Sequence, residues 1–66
     1  MNVSYLKLWK LLLDKGMKRI DLKEKAGISS STLAKLGKNE FVSMESIVKI
    51  CSALHCDIGE VMEITK

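Results

Sequence analysis

The chain has 66 residues, 47% of them apolar and 29% charged, with no proline and two cysteines. That length excludes two domains and leaves one unit over 1–66, which buries only about 60% of its unfolded surface and needs a core dense in Leu, Ile and Met. An ordinary apolar fraction excludes disorder, no apolar run nears the roughly 18 residues of a membrane span, and no signal-peptide pattern is present, so the sequence reads as cytoplasmic.

The net charge of +3 is unevenly distributed. Over residues 1–39 nine bases stand against three acids, a balance of +6, while over 40–66 two bases meet five acids, a balance of −3. The first part suits a polyanion and the second does not. Lysine used only for solubility explains the same total, so position has to decide between the two.

Apolar spacing predicts an all-α fold of five short helices and no strand alternation of useful length. The first runs from residue 3 or 4 to 15. Tyr5, Leu8, Trp9 and Leu12 recur at three- and four-residue steps, and Gly16 supplies a left-handed stop. Leu11 and Leu13 widen that stripe, as a dimer contact or a broad core face requires. The second helix covers about 19–26, with Ile20, Leu22 and Ala26 inward. Ser29 is a strong N-cap, because its hydroxyl accepts a free amide of the first turn, and starts a third helix that ends at 36 or 37. Leu33, Ala34 and Leu36 are its few apolar positions, so it is held by one side and presents the other. After the turn residues Gly37-Lys38-Asn39, Ser43 caps a fourth helix over 44–54, with Ile47, Ile50, Cys51 and Leu54 inward. Asp57 caps a fifth over 58–63, with Val61 and Met62 inward.

Helices two and three, joined by Ala26-Gly27-Ile28-Ser29, have the order of a helix-turn-helix. A steep three- or four-residue turn needs one residue at positive φ, which Gly27 takes without steric cost, and Ile28 can drop into the core to fix the angle. The run KGMKRIDLKEKAGISSSTL at 15–33 resembles the Cro/repressor, or XRE-type, helix-turn-helix family. Asn39, Val42-Ser43 and the run ICSALHCDIGEVME at 50–63 are similar to the later helices of a small single-domain subgroup, and the resemblance extends over 5–64.

The resemblance implies a lambda-repressor-like domain, five helices around one core, with the recognition helix in the major groove of double-stranded DNA. It places Lys18 and Arg19 on the DNA backbone, Ser30, Ser31 and Lys35 at base edges, Thr32 near a phosphate, and Lys38, Asn39 and Ser43 on phosphate. Physical chemistry supports the same positions. Ser30, Ser31 and Lys35 lie opposite Leu33 and Leu36, and Lys35 can donate to guanine O6 or N7. The helix starts at Ser29 and Ser43 offer free amides to phosphate. Three residues depart from the family pattern. Arg19 stands where many relatives have Gln, Lys18 replaces a capping Thr or Ser, and Gly37 replaces a frequent acid. With serines as readers, intrinsic specificity is expected to be modest.

Cys51, His55 and Cys56 raise the question of zinc. They form no C-x-x-C pair and lack a fourth ligand, so they read as core thiols and a surface histidine, with no disulfide in a reducing compartment. Catalysis is not expected: the single His has no evident partner, and no nucleophile or phosphate-loop motif is present. Trp9 and Tyr5 read as core, and Lys7 and Lys10 as solvated.

The sequence thus points to a DNA-binding transcriptional regulator, most simply a repressor, without cofactor, metal or small-molecule ligand. It is expected to act as a homodimer on a palindromic operator, through Leu11 or Leu13, or through Phe41, Val61 and Ile64. The competing class is a protein-interaction module, an antitoxin or antirepressor-like modulator that binds DNA weakly. An antitoxin is expected to carry a toxin-binding tail, for which Thr65 and Lys66 leave little room.

Overall fold

Four left-handed residues, Gly16, Gly27, Asn39 and His55, punctuate the computed structural model, which describes residues 1–66. Each closes one helix: α1 (Leu6–Asp14), α2 (Arg19–Ala26), α3 (Ser30–Gly37) and α4 (Met44–Leu54). The amide just beyond each left-handed residue reaches back five positions to a carbonyl, Met17 to Leu12, Ile28 to Lys23, Glu40 to Lys35 and Cys56 to Cys51, at 2.9 to 3.2 Å. This Schellman closure satisfies carbonyls that a helix end otherwise leaves unpaired. Gly16 and Gly27 adopt their φ of 67° and 70° freely, whereas Asn39 and His55 hold theirs as L-residues.

The helix starts follow side-chain chemistry. Ser29 Oγ accepts the Thr32 amide and Ser43 Oγ accepts the Ser46 amide, both at 3.1 Å. At α2, Lys18 offers no acceptor, but the Asp21 carboxylate accepts the Lys18 amide at 2.9 Å. Half a capping box thus offsets the missing Ser or Thr.

The expected fifth helix is not an α-helix. It is a single 3-10 turn, Ile58–Glu60, capped by Asp57 and Glu60, after which the chain enters a strand. Gly59 sits in its centre, and the β-branched Ile58, Val61, Ile64 and Thr65 favour extended backbone. That strand, β2 (Glu63–Thr65), pairs antiparallel with β1 (Asn2–Ser4) in the register Asn2 with Thr65, Val3 with Ile64 and Ser4 with Glu63. The fold is therefore four α-helices with a two-stranded sheet, and α1 begins at Leu6 because Val3 and Ser4 are spent in β1.

The core unites Tyr5, Leu8 and Leu12 of the N-terminal segment with Leu22, Ile28 and Leu36 of the middle, and with Ile47, Ile50, Leu54 and Val61. Val3 of β1 completes it. Three expectations about side chains fail. Ile20 is 49% exposed, because α2 has two turns and commits only Leu22 to the core. Ala34 is exposed, since Leu36 alone of α3 is fully enclosed. Val61 is wholly buried and has no surface for a dimer contact, whereas Phe41 (71%), Ile64 (59%) and Leu13 (79%) are open. Leu11 is half-buried against the core.

Two residues, Tyr5 and Lys7, bind distant segments. Tyr5, itself buried, donates its hydroxyl to the Glu40 carbonyl at 2.7 Å, and its amide donates to Asn39 Oδ1 at 3.1 Å. Lys7, expected to be solvated, donates to the Gly59 carbonyl at 3.3 Å and lies 4.0 Å from Glu63, tying α1 to the C-terminal segment. No helix is long and apolar enough to cross a membrane.

Candidate nucleic-acid interface

α2 and α3 are the elements that carry the interface. Gly27 at φ 70° turns the chain between them, and the buried Ile28 anchors the turn from below. α3 is attached through Leu36, with Leu33 half-buried beside it. Its opposite side presents Ser30, Ser31 and Lys35, all exposed.

The start of α3 has free donors. Ser29 Oγ takes the Thr32 amide and donates to Thr32 Oγ1 at 3.0 Å, and the first main-chain helix bond runs from Leu33 to the Ser29 carbonyl. The Ser30 and Ser31 amides precede that bond and point along the helix axis toward solvent, where an anion is favoured. The start of α4 repeats the arrangement. Ser43 caps Ser46, the two hydroxyls are 3.0 Å apart, and the Met44 and Glu45 amides stand before the first bond. Ser29 and Ser43 thus work as caps, Thr32 lends its amide and Oγ1 to the Ser29 cap, and the amides behind the two caps stand free at the helix starts. Replacing Ser29 by Ala is expected to lower stability by about 1 kcal/mol. Denaturant unfolding checks this as a lower midpoint at unchanged slope.

Arg19 is not a free surface cation. Its guanidinium stacks on the Trp9 ring, 3.9 Å from the centroid, and its Nη1 lies 3.2 Å from where a Cβ on Gly37 would be. Trp9, half-buried on α1, is therefore a platform that holds Arg19 beside the C-terminal end of α3, and Gly37 keeps that approach open. Cation and helix C-terminus favour each other there. Helical spacing places Trp9 on the apolar stripe and could not show this, since the partner lies beyond the Gly16 turn.

Lys18, Lys35 and Lys38 are exposed, and no carboxylate meets them. The ion pairs of the molecule are Lys7 with Glu63 and Lys49 with Glu45. The cations on and around α2 and α3 are thus left without acidic partners. Asn39, also exposed, sits at the end of α3 with Oδ1 engaged by Tyr5 and Nδ2 open. The structure thus gathers Lys18, Arg19, Lys35, Lys38 and Asn39 about the two helices.

The cysteines are free and half-buried at the far end of α4. Burial first, and the neighbouring Cys51 second, push the Cys56 thiol up to about 11. His55 is exposed between them.

A short first helix, a left-handed glycine, an anchoring Ile and a serine-capped second helix define a helix-turn-helix protein. The chain belongs to the Cro/C1-type HTH DNA-binding domain family, whose model matches residues 7–66. Among solved structures it is similar to the crystal structure of transcriptional regulator VanUg, at 55% identity and a TM-score of 0.91, over 94% of this chain and 83% of that one. No curated protein matches.

Proposed function

We propose that the protein is a sequence-specific DNA-binding transcriptional regulator, a repressor, that lays α3 in the major groove. The observation that carries this reading is the set of cations on α2 and α3 left without acidic partners, next to two helix starts with free amides. Its likeness to a structure described as a transcriptional regulator supports it. Lys35 is the base reader, with Ser30 and Ser31 as less discriminating partners. Lys18, Arg19, Lys38, Asn39 and the amides behind Ser29 and Ser43 hold phosphate, with Thr32 beside them.

A symmetric homodimer on a palindromic operator follows from energetics. One small module makes too few contacts to outcompete nonspecific DNA, and two half-sites about 34 Å apart combine theirs. Phe41, Ile64 and Leu13 are the exposed apolar side chains available for it.

The test is salt-titrated binding to DNA flanking the protein's own gene. Lys35→Ala should relax preference at one base pair at a cost of about 1–3 kcal/mol, while Lys38→Ala should weaken all sequences alike and flatten the salt slope by about one unit. Binding no tighter than to random DNA at moderate salt overturns the reading. Sedimentation at micromolar protein tests the dimer.

A further inference from the structure

Two thiols at the end of α4 lie outside the interface described above. Cys51 and Cys56 are the pair that the Schellman closure of α4 draws together. The Cys56 amide donates to the Cys51 carbonyl at 3.1 Å, and the left-handed His55 between them, at φ 55°, folds the chain back. A contact between the side chains at these two positions frequently accompanies the motif. At the end of α1 the same positions hold Leu12 and Met17, an apolar pair, and here both are thiols. The two are partly open and line one surface concavity with Val48, Ser52, His55 and Asp57. No group of three ligating side chains forms there, so the chemistry open to this pair is that of two sulfurs.

We propose that Cys51 and Cys56 are a vicinal dithiol modification site, which low-molecular-weight disulfides convert reversibly into an intramolecular disulfide. In this scheme Cys51 is the attacking sulfur and Cys56 the resolving one, in keeping with the burial and the adjacent Cys51 that push the Cys56 thiol up to about 11. Cys51 thiolate attacks one sulfur of the small disulfide, forms a mixed disulfide and expels one small thiolate, which takes up a proton. Cys56 then loses its proton to solvent, attacks the Cys51 sulfur and expels the second small thiol. Two protein thiols are oxidised to one disulfide while one small disulfide is reduced to two thiols. A partly exposed bond closing so short a loop is readily reduced again, which suits a reversible modification and not a structural crosslink.

Oxidised glutathione is the probe. Reduced protein is incubated with it in excess, quenched in acid and weighed intact by mass spectrometry, with and without later reduction. The expected product is monomer that has lost the mass of two hydrogen atoms, carries no glutathionyl group and returns to its starting mass on reduction. Cys56→Ser should stop at the mixed disulfide and gain one glutathionyl group on Cys51, and Cys51→Ser should react many times more slowly. Wild-type protein that accumulates glutathionyl adducts, that crosslinks into dimers, or that stays unreacted while a control thiol peptide is consumed overturns the proposal. Since the wild-type measurement needs no substitution, a variant that fails to fold leaves the test intact.

Discussion

Leu36→Ala is expected to leave most of the protein unfolded at physiological temperature and to abolish DNA binding on every sequence. Leu36 is fully buried, and it is the one side chain of α3 fully enclosed by the core. Removing three heavy atoms from such a site costs about 2–5 kcal/mol, from lost transfer energy plus the cavity left behind. A domain of this size has only about 3–5 kcal/mol to lose. Far-UV circular dichroism should show the lost helix, and denaturant unfolding should show the midpoint falling close to zero. Ala34→Ser two residues away, on an exposed position, is the control and should move stability by no more than about 0.5 kcal/mol. A Leu36→Ala protein that melts near the wild type would mean that α3 is held by something other than its core side chain.

The difference between Leu36 and Ala34 also marks how far the sequence could be read. Helices that obey local rules were legible: α4 begins at Met44 behind the Ser43 cap and ends at Leu54, as spacing predicts. The α2 to α3 turn was legible too, because a left-handed glycine followed by an apolar residue and a capping serine is a local signal. The sheet was not, since its three-residue strands are too short for alternation to register and pair residues from opposite ends of the chain. The same two segments explain the overlong first helix and the fifth helix that became a 3-10 turn. Within the interface, cations and caps were visible as residue types, but the stacking of Arg19 on Trp9 was not. Periodicity assigns a tryptophan to a stripe, and it cannot say which charged neighbour from another helix closes over the ring. The same limit hid the structural use of Asn39, whose partner Tyr5 is 34 positions away.

Asn39 is expected to carry two separable tasks, and three substitutions divide them. Its backbone sits at φ 56°, a conformation that costs most L-residues about 1–2 kcal/mol, and asparagine tolerates it better than alanine. Its Oδ1 also accepts the amide of Tyr5, just ahead of α1, while the Tyr5 hydroxyl bonds the Glu40 carbonyl next door. Asn39→Ala loses both the tolerance and the acceptor and should cost about 2–3 kcal/mol, because the partly buried Tyr5 amide is left unpaired. Asn39→Gly relieves the backbone but not the amide, and should recover about 1 kcal/mol of that loss. Asn39→Asp keeps an acceptor and tolerates the left-handed region, so its stability should stay within about 1 kcal/mol of the wild type. Its added negative charge, beside Lys38 at the end of α3, should nevertheless weaken binding to all DNA sequences alike, most strongly at low salt. Unfolding curves and salt-titrated binding on the same three proteins read the two tasks independently. An Asp variant that folds and binds as the wild type does would place Asn39 in the scaffold alone. One that folds normally but loses affinity uniformly would put position 39 close to the DNA backbone. That outcome is the expected one, since the turn that needs Asn39 for its backbone also carries the exposed Lys38, which the proposed function assigns to phosphate.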